Sequence, residues 1–156
     1  ARVRADTFGY LQRSFLGSVS DEKVAEIRKE VENVVCSINP FVLKVNETGC
    51  FPNKSKPSVL YLGVGGNIEA LKALVVKITD KMSQIGFKKD LESFIPHITV
   101  AKINYPQKFN PDLSIFLNST YDEVEFSVDR VQLLESKTLA NGAVYKTLNT
   151  FSFLEK

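Results

Sequence analysis

The chain has 156 residues, 44% of them hydrophobic and 24% charged, and its 20 Lys and Arg against 18 Asp and Glu give a formal net charge of +2 at pH 7. This balance fits one globular domain with a real core and excludes a disordered chain, while the charge neither demands nor forbids a nucleic-acid partner. Its apolar runs fall far short of the ~20 residues of a membrane-spanning helix, and no segment has the basic start, apolar middle and small-residue end of a secretory leader. Two cysteines, Cys36 near a helix end and Cys50 in an expected turn, are too few for a disulfide scaffold and match no metal-ligand spacing. Free thiols and a cytoplasmic setting are therefore expected.

In chain order, Ser20 is a good N-cap for an amphipathic helix whose Val24, Ile27, Val31 and Val34 recur at helical spacing to about Ser37. Pro40 opens a half-buried strand in which Phe41, Leu43 and Val45 alternate, and Thr48-Gly49-Cys50-Phe51-Pro52-Asn53 reads as a turn. Residues 58–64 are nearly continuous in apolar side chains, as in a central strand, and two glycines end them. Asn67 can cap a second helix with Leu71, Leu74, Ile78, Met82 and Ile85 on its buried stripe and Gly86 as its stop. Glycines that open a helix can cradle phosphate, but one Gly65-Gly66 pair lacks the spacing of a phosphate-binding loop.

Residues 94–103 read as the next strand, 106–111 as a loop and 113–117 as a short helix. Residues 124–128 and 131–134 read as strands, followed by a turn at Asn141-Gly142 and a last strand over 144–154. The order of strand, helix, strand, strand, helix, strand and closing hairpin suggests an α+β domain with antiparallel sheets and outer helices.

The chemistry centres on Phe94-Ile95-Pro96-His97-Ile98-Thr99-Val100-Ala101-Lys102, which holds the only histidine. Strand alternation puts His97, Thr99 and Ala101 on one face and Ile98, Val100 and Lys102 on the other. An imidazole moves protons near neutral pH, and a hydroxyl beside it donates to an anionic oxygen; taken alone, a single histidine in an apolar run is more often a satisfied core residue than a catalyst. Basic residues are available to phosphate: Arg2, Arg4 and Arg13 face only Asp6 among the first thirteen residues, and Lys88, Lys89 and Lys102 flank the histidine in sequence.

His97-Ile98-Thr99 with Lys102 resembles the second His-x-Thr motif of the two-histidine phosphoesterase superfamily, and more closely that of the RNA 2′,3′-cyclic phosphodiesterase, or 2′-5′ RNA ligase, family. Phe15-Leu16-Gly17-Ser18-Val19-Ser20 resembles the segment after that family's first motif, Gly49-Cys50-Phe51-Pro52 its Gly-x-Phe-Pro turn, Ile85-Gly86-Phe87 the end of its second helix, and Glu135-Ser136 with Gly142-Ala143-Val144-Tyr145 its closing hairpin. Counting back from Phe15 puts Tyr10 and Gln12 on the His and Thr positions of the first motif. The chain starts with Ala and only nine residues precede Tyr10, so a truncated, processed, divergent or imperfectly recorded N-terminus is expected.

The resemblance implies a single domain over residues 1–156 with two pseudo-symmetric lobes of antiparallel sheet and outer helices around a central cleft. It implies an enzyme that opens RNA 2′,3′-cyclic phosphates to 2′-phosphates, in a family also known for 2′-5′ ligation, through acid–base chemistry that needs no metal or cofactor. His97 and Thr99 would be the catalytic pair, Lys102 a phosphate-binding charge, and Tyr10 and Gln12 a degenerate first motif. The expected partners are RNA ends or nucleotides with a cyclic phosphate and no membrane, the chain acting as a monomer. The alternative is a catalytically impaired relative that still binds RNA ends or nucleotides.

Overall fold

The computed structural model describes residues 2–7, 11–89, 94–104, 112–140 and 142–154, with side chains from Leu16 onward except that of Thr138. The chain divides into two compact units, one formed by Ala1–Phe41, Glu69–Phe94 and Ser127–Lys156, the other by Val42–Ile68 and Ile95–Phe126. The architecture is mixed α+β, and every strand pairing whose register is given below is antiparallel.

The first unit carries β1 (Arg2–Thr7), β2 (Leu11–Ser18), α1 (Asp21–Val35), nearly all of α2 (Ile68–Gln84), β7 (Arg130–Leu139) and β8 (Gly142–Ser152). Its sheet has the order β2-β1-β7-β8. Sequence reading assigns no strand to residues 2–7, although charged Arg2, Arg4 and Asp6 alternate with Val3, Ala5 and Thr7. The segment's strand character comes from ladders on both sides, to β2 and to β7. The hairpin of β7 and β8 also outruns the expected 131–134: polar residues Glu135 to Lys137 read as a strand end, yet the ladder continues to Leu139 opposite Gly142.

Helix α1 starts where the sequence places it, with the Ser20 hydroxyl accepting from the Lys23 N–H at 3.3 Å and Asp21 and Glu22 in the first turn. Its own backbone amide and then the Ser20 hydroxyl hold the Glu22 carboxyl below the usual carboxylate range. The helix buries Val24, Ile27, Val31, Val34 and Val35 and packs against β7 and β8. Ser20→Ala removes a cap from this helix and is expected to lower stability by about 1 kcal/mol, read as a lower urea midpoint at unchanged slope.

Helix α2 buries Leu71, Leu74, Val75, Ile78 and Met82, while Ile85 is only half-buried. Gly86 stops it at φ +95°, with the Phe87 N–H donating to the Met82 carbonyl at 3.0 Å and the Gly86 N–H to Ser83 at 3.1 Å. This is the left-handed glycine closure that satisfies the last carbonyls of a helix.

The second unit carries most of β3 (Phe41–Phe51), with β4 (Val59–Gly66), β5 (His97–Lys102), α3 (Ser114–Leu117) and the start of β6 (Val124–Val128). Its sheet order is β5-β4-β3-β6, so β4 has a neighbour on both sides, as its apolar run suggests. Residues 48–51, expected as a turn, instead continue β3: Thr48, Gly49, Cys50 and Phe51 pair with Leu62, Tyr61, Leu60 and Val59. Cys50 therefore lies in a strand, and it and Cys36 are both free thiols. Gly65 and Gly66 are the last residues of β4; Gly66 has φ +86°, and a Cβ there would lie 2.9 Å from the Val42 carbonyl oxygen, which accounts for the glycine by local packing.

The segment around α3 is tied along β3. Thr48 donates its hydroxyl to the Leu117 carbonyl at 3.3 Å, Tyr121 donates to the Glu47 carbonyl at 2.8 Å, and Lys44 pairs with Glu123 at 2.8 Å. Burial, with the Glu47 charge adding to it, pushes the Tyr121 phenol upward.

Candidate active site

Strand β5 is ordered by its ladder to β4, in which His97 lies opposite Gly63, Thr99 opposite Tyr61 and Lys102 opposite Val59. Directly opposed residues share a sheet face, and Val59, Tyr61 and Gly63 alternate along one face of β4. Between Leu60 and Tyr61 the register shifts: β4 moves one residue while β5 moves from Ala101 to Thr99, leaving Val100 as the extra residue of a bulge. Strict alternation separates Lys102 from His97 and Thr99 and keeps Ala101 with them. The bulge reverses both assignments, bringing Lys102 onto the face of His97 and Thr99 and turning Ala101, opposite Leu60, to the other.

The same face continues onto β3, where Glu47 lies opposite Gly63, Gly49 opposite Tyr61 and Phe51 opposite Val59. His97 is half-buried, and Thr99 and Lys102 are exposed, so all three are accessible from this face. His97 Nδ1 lies 2.7 Å from the Ile95 carbonyl oxygen. A carbonyl only accepts, so Nδ1 carries the hydrogen, and in the neutral ring Nε2 is the nitrogen free to take a proton. Phe51 and Tyr61 stack on one another with centroids 4.4 Å apart and meet the imidazole edge-on, at 5.1 Å and 5.4 Å.

An imidazole with a free nitrogen, a hydroxyl and an ammonium on one face can exchange a proton and hold an anion. Of the two residues that the resemblance puts at the first motif, Gln12 lies in β2 opposite Asp6, and Tyr10 falls outside the described residues. Sequence reading missed Phe51 and Tyr61 as neighbours of His97. Phe51 was hidden in an expected turn, and the continuous apolar run around Tyr61 conceals which face its ring takes. The available signal was the glycine at position 49, since a glycine inside a strand marks a close approach.

Comparison with known proteins agrees with this architecture. The profile of the 2′-5′ RNA ligase superfamily matches residues 15–139. The chain is 30% identical over 145 residues to the RNA 2′,3′-cyclic phosphodiesterase of Thermotoga maritima, covering 92% of this chain and 75% of that protein. It is 29% identical over 137 residues to the protein of that name from Methanocaldococcus jannaschii, covering 86% and 74%. Among solved structures, the protein TT0787 of Thermus thermophilus superimposes with a TM-score of 0.72 at 23% identity, over 92% of this chain and 76% of that one. Escherichia coli LigT complexed with 3′-AMP does so with a TM-score of 0.73 at 19% identity, over 93% and 76%, so both share the fold. The extent of the profile match and the identity to the Thermotoga maritima protein establish that the chain belongs to the 2′-5′ RNA ligase superfamily.

Proposed function

We propose that this chain opens the 2′,3′-cyclic phosphate ends of RNA to 2′-phosphates. The observation that carries the reading is the shared face of His97, Thr99 and Lys102 on β5, with His97 Nδ1 held by the Ile95 carbonyl so that Nε2 of the neutral ring carries no hydrogen. Water attacks phosphorus as a base removes its proton, the bond from phosphorus to the 3′ oxygen breaks, and that oxygen takes a proton to become the 3′ hydroxyl. His97 handles one of these two proton transfers through Nε2. Thr99 donates its hydroxyl to a phosphoryl oxygen, and Lys102 adds positive charge. The curated relatives named RNA 2′,3′-cyclic phosphodiesterase support the substrate assignment. The free thiols Cys36 and Cys50 support a reducing, cytoplasmic setting.

A second reading, a relative that binds RNA ends without turning them over, is favoured by Tyr10 and Gln12 at the positions where the family has its first His and Thr. Incubating the chain with an RNA that ends in a 2′,3′-cyclic phosphate separates the two. Conversion to a 2′-phosphate end supports the phosphodiesterase; saturable binding with an intact cyclic phosphate supports the second reading and overturns the first.

Lys102 acts in this reading as a point charge rather than a bidentate clamp. Lys102→Ala is expected to raise KM about 10-fold at low salt, with kcat changed less than about 3-fold and a shallower dependence of KM on salt. Steady-state kinetics at two ionic strengths checks this.

A further inference from the structure

We infer that Phe51 and Tyr61 are positioning residues that brace the His97 ring, so that they set turnover rather than substrate affinity. The inference rests on the proposed proton-transfer role of His97. The imidazole has three supports. The Ile95 carbonyl receives Nδ1–H at 2.7 Å and pins one edge. The rings of Phe51 and Tyr61 meet it at interplanar angles of 75° and 62°, with centroids 5.1 Å and 5.4 Å away. Edge-to-face contacts of this kind have a preferred geometry, and two of them together with a hydrogen bond leave the imidazole little freedom to rotate. Nε2 is thereby aimed before a substrate arrives, and positioning of this kind accelerates proton transfer without strengthening binding.

The two aromatic rings are themselves held. They stack at 4.4 Å and 23°, so that neither moves without the other. Beneath Tyr61 lies Gly49, its partner across the ladder, and a Cβ built there would collide with the Tyr61 ring at Cζ and the hydroxyl oxygen. The glycine lets the ring lie flat against β3. A chain of contacts thus runs from the backbone of Gly49 through Tyr61 and Phe51 to His97, and it explains Gly49 inside a strand, where glycine is otherwise unfavourable.

The test compares wild type with Phe51→Leu, Tyr61→Leu, Tyr61→Phe and Gly49→Ala, each checked for cooperative unfolding. Two quantities are read: kcat and KM on RNA with a 2′,3′-cyclic phosphate end, and the NMR relaxation order parameters of the imidazole C–H groups, which report how freely the ring moves and belong to His97 alone because the chain has one histidine. The expected result is a kcat about 10- to 100-fold lower in the leucine variants with KM within about 3-fold. In them the imidazole order parameters fall below the wild-type values as the ring gains freedom. Tyr61→Phe keeps the ring and retains kcat within about 3-fold, whereas Gly49→Ala, which displaces the ring from beneath, behaves as Tyr61→Leu does.

A rise in KM at unchanged kcat would overturn the inference and mean that the rings stack on a base of the RNA. Imidazole order parameters that keep the wild-type values in the leucine variants would also overturn it. If wild type binds RNA without turnover, the proposed activity fails and the order parameters alone decide the brace, a fall supporting it and unchanged values refuting it. If either leucine variant does not fold, the other, with Gly49→Ala, gives the same reading.

Discussion

His97→Ala is expected to lower kcat for RNA 2′,3′-cyclic phosphate hydrolysis by ~10² to 10⁴, equivalent to roughly 3 to 5 kcal/mol of transition-state stabilisation. The effect belongs in kcat, because in this reading the imidazole exchanges a proton while Thr99 and Lys102 hold the phosphate. Stability is expected to change by less: the side chain is only half-buried, and it donates from Nδ1 to the Ile95 carbonyl and meets two rings edge-on. Single-turnover rates with excess enzyme, alongside a urea titration of each protein, check both parts. A variant that keeps the wild-type rate would remove His97 from the mechanism, whatever became of the fold.

The opposite substitution, at the positions proposed for the first motif, is expected to produce a gain. A phenol has a pKa near ~10, so Tyr10 can serve as an acid at neutral pH but is a poor base, and the Gln12 amide is a weaker replacement for a hydroxyl that donates to phosphate. Tyr10→His with Gln12→Thr supplies an imidazole and a hydroxyl of the kind the family uses there, and kcat is expected to rise ~10²-fold or more over the unmodified chain. The same doubly substituted chain carrying His97→Ala is expected to fall back by a comparable factor. If the double variant folds and turns over no faster than the parent, Tyr10 and Gln12 are not the counterparts of the first motif.

Much of the fold can be read from local pattern. Ser20 capping α1, the stripe of Leu71, Leu74, Ile78 and Met82, and the stop at Gly86 each follow from spacing and from one residue's backbone preference. The features that elude such reading depend on partners distant in sequence. Residues 2–7 become a strand because β2 and β7 flank them. Residues 48–51 remain a strand, against the turn signals of Gly49 and Pro52, because β4 offers them a ladder. The site follows the same division. His97 and Thr99 share a face by simple alternation, whereas Lys102 joins them only through the bulge at Val100, a register shift that no periodicity announces. The contacts of Phe51 and Tyr61 with His97 depend on three strands meeting and on a glycine at position 49.

The claim that unites these points is that the phosphate of an RNA end sits on the face formed by His97, Thr99 and Lys102. Titrating a short RNA ending in a 2′-phosphate into isotope-labelled protein, while following the single imidazole and the backbone amides of β5 by NMR, tests it most directly. The account predicts saturable movement of the His97 imidazole together with the Thr99 and Lys102 amides, weakened by Lys102→Ala. Saturable binding that moves resonances elsewhere and leaves these three in place would contradict it.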